Sequence, residues 1–169
     1  RIAIIGLAPG KHGANRTGRP FTGDYAGVLL YETLIETGFA AGRYDARPDD
    51  GLRLVECMIS NAVRCAPPEN KPTSAEEATC RPFLAARIAA LPRLRAIVTL
   101  GDVSRRNVLK ALSAKANAAP AGHGTAADVG GYRLFGSYHC SRLNTNTGRL
   151  TPAMFRAVFE NVRAYLDGD

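Results

Sequence analysis

Ile2-Ala3-Ile4-Ile5-Gly6 decides the architecture. Four apolar residues, three of them β-branched, run without polar alternation into the turn Gly6-Leu7-Ala8-Pro9-Gly10. A strand with one face in water alternates apolar and polar side chains, whereas a parallel strand covered on both faces does not. The run is therefore read as the opening strand of a sheet buried between two layers.

Working outward, residues 24–38 carry Leu29, Leu30, Leu34 and Ile35 at helical spacing, with Asp24 placed to cap the helix and Gly38 to stop it. The apolar stretch 54–63 reads as a second strand ending near Cys65 and Pro67-Pro68. Ser74-Ala75-Glu76-Glu77 has capping-box spacing and starts a helix to about Ala90. Residues 96–100 form a third strand, and Gly101-Asp102 turns it into a helix over 103–114. Residues 115–131 are small and Gly-bearing and read as a surface loop, 132–138 as a fourth strand, and 139–149 as a polar loop. Thr151-Pro152 begins a last amphipathic helix with Phe155, Val158, Phe159 and Val162 inward. The expected fold is a three-layer α/β/α sandwich on a central, mainly parallel four-stranded sheet, with any ligand at the carboxyl ends of the strands.

The chain has 169 residues, enough for one domain with a substantial core. Of its 22 Lys and Arg, four are Lys (Lys11, Lys71, Lys110, Lys115), leaving 18 Arg, and the net charge is +7. Arg suits forked phosphate contacts, so an acidic partner is expected, nucleic acid first. No apolar run reaches the roughly 20 residues of a membrane span, and no leader precedes the first strand, so a soluble cytosolic protein is expected. Arg1 leads straight into the apolar run, which is read as loss of an upstream segment.

Gly6 to His12 invites a phosphate-loop reading, but only three residues separate Gly6 from Gly10, and His12 follows Lys11 where a phosphate loop has Ser or Thr. The dinucleotide GxGxxG fingerprint is also absent. What remains is a long loop that lets backbone come close to a ligand.

Four stretches, taken together, resemble the uracil-DNA glycosylase superfamily. They are Gly6-Leu7-Ala8-Pro9-Gly10, residues 15–24 (NRTGRPFTGD), residues 61–68 (NAVRCAPP) and residues 139–149 (HCSRLNTNTGR). Family 5, the type-b enzymes, is the nearest match and family 4 the next. The resemblance covers nearly the whole chain. It implies the uracil-DNA glycosylase fold and hydrolysis of the N-glycosidic bond of uracil, or of other deaminated bases such as hypoxanthine, to initiate base excision repair. The implied partner is DNA carrying such a base, met by a monomer and without any membrane.

On that resemblance the base pocket is formed by Gly6, Ala8, Gly10, Phe21 and Asn61, with Phe21 stacking on the flipped base. Asn61 offers a donor and an acceptor to the O4 and N3–H edge. His139 matches the motif histidine that donates to uracil O2 as negative charge collects there. Taken without the family, Phe21 also reads as a loop anchor, Asn61 as a core amide and His139 as a structural residue. Leu7 and Ala8 stand where many relatives carry a carboxylate or amide, so the resemblance gives water positioning first to Asn15, with Asp24, which doubles as a helix cap, as the alternative. The segment from Ser141 is implied to enter the minor groove, with Leu143 as wedge and Arg142, Asn144 and Arg149 at the DNA. Cys140 stands where the family commonly has Pro.

Cys65 and Cys80 match the downstream half of the family's four-cysteine iron-sulfur site, which implies a 4Fe-4S cluster in the full-length protein with two upstream ligands absent from this chain, the other reading being a variant without a cluster. Cys57 and Cys140 occupy neither motif position. Two other classes remain in view. A non-catalytic damaged-DNA binder is favoured by Ala8, and a small-molecule α/β enzyme would bind nucleotide with little salt dependence.

Overall fold

Alternate residues of the first strand face opposite cores. In the computed structural model, which describes residues 1–168, Ile2 and Ile4 join one buried cluster and Ala3 and Ile5 the other. A strand that must satisfy two apolar layers has no position for a polar side chain.

The elements run β1 (Ile2–Gly6), α1 (Ala14–Thr17), α2 (Tyr25–Glu36), β2 (Ala40–Ala41), β3 (Arg53–Leu54) and β4 (Cys57–Asn61). A single 3-10 turn (Pro68–Asn70) follows, then α3 (Ser74–Ala89), β5 (Ala96–Leu100), α4 (Asp102–Ala111), β6 (Thr125–Val129), β7 (Tyr132–Ser137), α5 (Arg142–Asn146) and α6 (Pro152–Asp167). The main sheet has the order β4-β1-β5-β7-β6, parallel except for β6, which runs antiparallel on β7. α2 and α6 cover one face through Leu30, Leu34, Phe155, Val158, Phe159 and Val162. α3 and α4 cover the other through Leu84, Ile88, Val108 and Leu109. Among the described residues no helix is long and apolar enough to cross a membrane.

The sheet has five strands, not the expected four. The fifth lies within the stretch read as a surface loop. Its Thr-Ala-Ala-Asp-Val carries no apolar run because it is an edge strand, backed by β7 alone. Gly130 and Gly131, both at positive φ, form the two-residue hairpin turn that joins β6 to β7.

The stretch read as one strand over 54–63 is divided. Glu56 at φ +53° turns the chain between β3, which pairs with β2, and β4, which pairs with β1. α3 starts one residue earlier than expected. Thr73 is its cap, accepting from the Glu76 N–H at 3.2 Å, while the Glu76 carboxylate accepts the Thr73 N–H at 2.8 Å. The loops 7–23 and 139–149 each contain a short helix, α1 and α5.

Candidate active site

The parallel strands deliver Gly6, Asn61, Leu100 and Ser137 to one end of the sheet. The pairing of β1 with β4 continues beyond their last residues, with Ala62 N–H donating to Gly6 O at 2.9 Å and Val63 N–H to Leu7 O at 3.0 Å. The Gly6–Gly10 turn is thereby held against the Asn61 segment, with Ala8 and Gly10 half-buried on it.

Gly6 marks the meeting point. A Cβ placed there would lie 2.5 Å from Asn61 Oδ1 and 2.6 Å from Phe21 Cζ, so only glycine lets both side chains occupy this corner. Asn61 Oδ1 is buried and accepts no hydrogen bond from the described residues. An acceptor held dry and unpaired costs about 1–3 kcal/mol unless something donates to it. The Phe21 ring also neighbours the His139 ring, with centroids 6.0 Å apart and planes tilted by 36°.

Phe21 itself is buried and has φ +55°, a left-handed conformation rare for an aromatic residue and maintained only by a strong surround. The surround is explicit. Arg19 donates to both carboxylate oxygens of Asp50 at 2.8 Å and to Thr22 Oγ1 at 2.7 Å. Tyr31 donates to Pro20 O at 2.5 Å and Tyr44 to Phe21 O at 3.2 Å, and the two tyrosine rings stack with centroids 4.7 Å apart. α2 contributes Gly27, where a Cβ would fall 1.6 Å from Phe21 O. Sequence reading missed Arg19, Tyr31, Tyr44 and Asp50 in this role. Arg19 lies inside the motif, but nothing local connects it to a carboxylate 31 positions away.

Burial pushes the His139 imidazole down to about 4, so the ring is neutral near pH 7. Its backbone carbonyl accepts from Asn144 Nδ2 at 2.9 Å, which ties α5 to the start of the loop and makes Asn144 a brace for that loop. A cleft of about 430 Å³ beside this ring is lined by Gly101, Arg105, Ser137, His139, Asn144 and Arg149. A second, of about 440 Å³, is lined by Pro9, Asn15, Pro20, Asn61 and Arg64. The structure therefore places His139, Asn144 and Arg149 on one cleft and Asn15 and Asn61 on another, with Phe21 near His139 and at the same Gly6 corner as Asn61.

Asp24 divides its carboxylate between two tasks. Oδ1 accepts the Gly27 N–H at 3.0 Å and caps α2. Oδ2 faces the first loop, where a Cβ on Gly13 would lie 2.4 Å away and one on Gly10 3.3 Å away. Burial raises its pKa above the ordinary carboxylate value, partly offset by the Gly27 bond. Asn15 is exposed on α1.

α5 carries the exposed apolar tip, Leu143, 72% accessible. Ser141 caps this helix through the Asn144 N–H. Arg142 lies over the Tyr25 ring at 4.9 Å, Thr145 donates to the Tyr25 hydroxyl at 3.1 Å, and Arg149 lies over Tyr138 at 4.5 Å. Tyr25, itself exposed, is a further element of this face that sequence reading did not select.

Cys65 is exposed, and the Arg64 N–H beside it donates to Cys80 Sγ at 3.5 Å, so both thiols belong to one locality. Among the described residues no group of three or more His, Cys, Asp or Glu could hold a metal ion. Cys65 and Cys80 are the two thiols that this locality offers. Burial pushes the Cys57 and Cys140 thiols up to about 12, keeping them protonated.

This arrangement can clasp a planar polar ring. It offers an aromatic face, a dry acceptor and a neutral imidazole, beside a cationic face with an apolar tip. The family model of the uracil DNA glycosylase superfamily matches residues 1–163. A type-5 uracil-DNA glycosylase of Thermus thermophilus is 45% identical over 159 residues, covering 94% of this chain and 72% of that protein. The Mycobacterium bovis type-5 protein is 44% identical over 166 residues, where the chain spans 96% of itself and only 62% of the relative. A type-4 uracil-DNA glycosylase of Thermotoga maritima is 40% identical over 89 residues, 52% of this chain and 38% of that protein. The match reaches from β1 into α6 and takes in every loop described above: the chain belongs to the uracil DNA glycosylase superfamily.

Proposed function

We propose that this protein excises uracil, and other deaminated bases that fit the same pocket, from DNA by hydrolysing the N-glycosidic bond and leaving an abasic site. The observation that carries the reading is the convergence of Asn61 and Phe21 on Gly6, with the His139 ring 6.0 Å from the Phe21 ring, centroid to centroid. A flipped uracil stacks on Phe21, and its N3–H donates to the unpaired Asn61 Oδ1 while the Asn61 amide group donates to O4. The neutral His139 donates to O2, where negative charge gathers as the bond breaks. A fixed donor in a dry site is a large catalytic term.

Asp24 Oδ2 is the group we assign to orient or deprotonate water, with Asn15 the alternative. Burial keeps the Asp24 carboxyl above its ordinary pKa, which makes it a better base than an amide. Its demand on the base is modest, because glycosidic cleavage runs through an oxocarbenium-like sugar with bond breaking ahead of attack. Leu143 fills the gap in the stack, and Arg142 and Arg149 meet phosphates.

Cys65 and Cys80 are assigned as two ligands of a 4Fe-4S cluster whose other thiolates come from outside the described residues. Such a cluster is structural, pinning the loop after β4 to α3. Iron content in the full-length protein, lost on Cys80→Ser, checks this assignment. The function itself is tested by incubating the protein with an end-labelled duplex containing one uracil, then cleaving abasic sites with alkali. Strand cleavage at the uracil, abolished by Asn61→Ala, is expected. Tight binding without cleavage moves the protein to the class of damaged-DNA binders.

A further inference from the structure

His123 lies in the stretch between α4 and β7, outside every motif of the site. Gly136 on β7 explains how it arrives there. A Cβ on Gly136 would lie 2.4 Å from Thr125 Oγ1 and 2.7 Å from Gly122 O, so the missing side chain lets residues 122–125 rest directly on the strand. Gly124 N–H fixes the contact by donating to Gly136 O at 2.8 Å. Ala121 and Gly122 of this segment also line the cleft that holds His139.

Both ring nitrogens of His123 are used. Tyr138 N–H lies 3.2 Å from Nδ1, and Met154 O lies 3.1 Å from Nε2. A backbone N–H can only donate and a carbonyl can only accept, so Nδ1 is the acceptor, Nε2 carries the hydrogen, and the ring is neutral in this arrangement. Ser137 Oγ lies 3.3 Å from the same Nδ1 and donates to Tyr138 O at 2.9 Å. The Tyr138 ring lies beside the His123 ring, centroids 5.2 Å apart, and under Arg149. Tyr138 is the residue immediately before His139.

We infer that His123 is a positioning residue for His139: its Nδ1 holds the Tyr138 amide and so fixes where the chain leaving β7 presents the His139 ring. The inference rests on the reading of His139 as the donor to the departing base. An angstrom of misplacement at such a donor costs up to about a hundredfold in rate. Binding is followed as a separate readout, because the Tyr138 ring beside His123 also lies under Arg149, and a displaced Arg149 would show as lost affinity.

Two amides separate the two ring contacts. In Asn the oxygen stands where Nδ1 stood and accepts from Tyr138, while in Gln the nitrogen stands where Nε2 stood and donates to Met154. Single-turnover uracil release and duplex affinity are measured for wild type, His123→Asn, His123→Gln and His123→Leu, and His139 ring resonances are followed by NMR in each. His123→Asn is expected to stay within about threefold of wild type in rate. His123→Gln and His123→Leu are expected to fall about tenfold to a hundredfold, with affinity held within about twofold and His139 resonances displaced.

An active His123→Gln beside an impaired His123→Asn assigns His123 to anchoring α6 and overturns the proposal, as does full activity in all three variants. A wild type that binds without releasing base sinks the glycosylase reading instead. The NMR comparison still decides His123 in that case: His139 resonances unmoved in His123→Gln and His123→Leu overturn the positioning role.

Discussion

Arg19 grips Asp50 through two parallel hydrogen bonds of 2.8 Å, with the Asp50 side chain shut off from solvent and its remaining acceptors filled by the Asp45 and Leu52 N–H groups. The pair lies beneath the loop that forces Phe21 to positive φ. Fork-on-carboxylate geometry supplies direction as well as energy, which a lysine ammonium cannot reproduce.

Arg19 holds the Asp50 carboxyl well below the usual carboxylate range. Because the folded value is depressed, its contribution to stability is fully present above about pH 4 and is lost as pH falls below that. Asp50→Ala removes the charge partner of a half-buried Arg19, which keeps its bond to Thr22 and the Tyr31 and Tyr44 rings beside it, and is expected to cost about 1–3 kcal/mol at pH 7. The cost should shrink at pH 3. Urea unfolding at the two pH values checks this, and a variant within 1 kcal/mol of wild type at pH 7 removes the brace from the account.

His139 titrates near 4 by burial alone, whereas an unfolded histidine titrates near 6.5. Between those values the unfolded chain binds the extra proton, so this group makes stability rise with pH across that window. The rate of base release is expected to be flat from pH 6 to 8, without an inflection near 6.5 from this ring, and to fall as pH approaches 4. An inflection near 6.5 that disappears in His139→Gln contradicts the buried neutral donor.

Asp24→Asn keeps an N-cap oxygen but removes the charge that faces Gly10 and Gly13. Base release is expected to drop at least about tenfold with little change in melting temperature, since proton acceptance by a positioned side chain is worth about 10²–10⁴. Asn15→Ala should cost less. A reversed order returns water handling to Asn15.

Leu143→Ala is expected to slow release from duplex about tenfold and from single strands hardly at all, because a wedge acts only where a stack must be opened. Equal losses on both substrates end the wedge assignment.

What was legible in the sequence was local. β1 declared itself because both of its faces are buried, and the inward residues of α6 followed from helical spacing. β6 escaped because an edge strand needs no apolar run, although Gly130-Gly131 between two strand-length segments signalled a hairpin. The candidate site residues came from motif context, which names side chains but not what holds them. Arg19 with Asp50, His123 with Tyr138, and Tyr25 with Thr145 are contacts between segments remote in sequence, and no local pattern encodes them.

The most direct test measures single-turnover uracil release and duplex affinity side by side in wild type and His139→Ala. The account predicts release by the wild type and a loss of about 10²–10³ in rate for the variant, with affinity changed only a few-fold. No release by the wild type, or equal losses of rate and affinity in the variant, contradicts it.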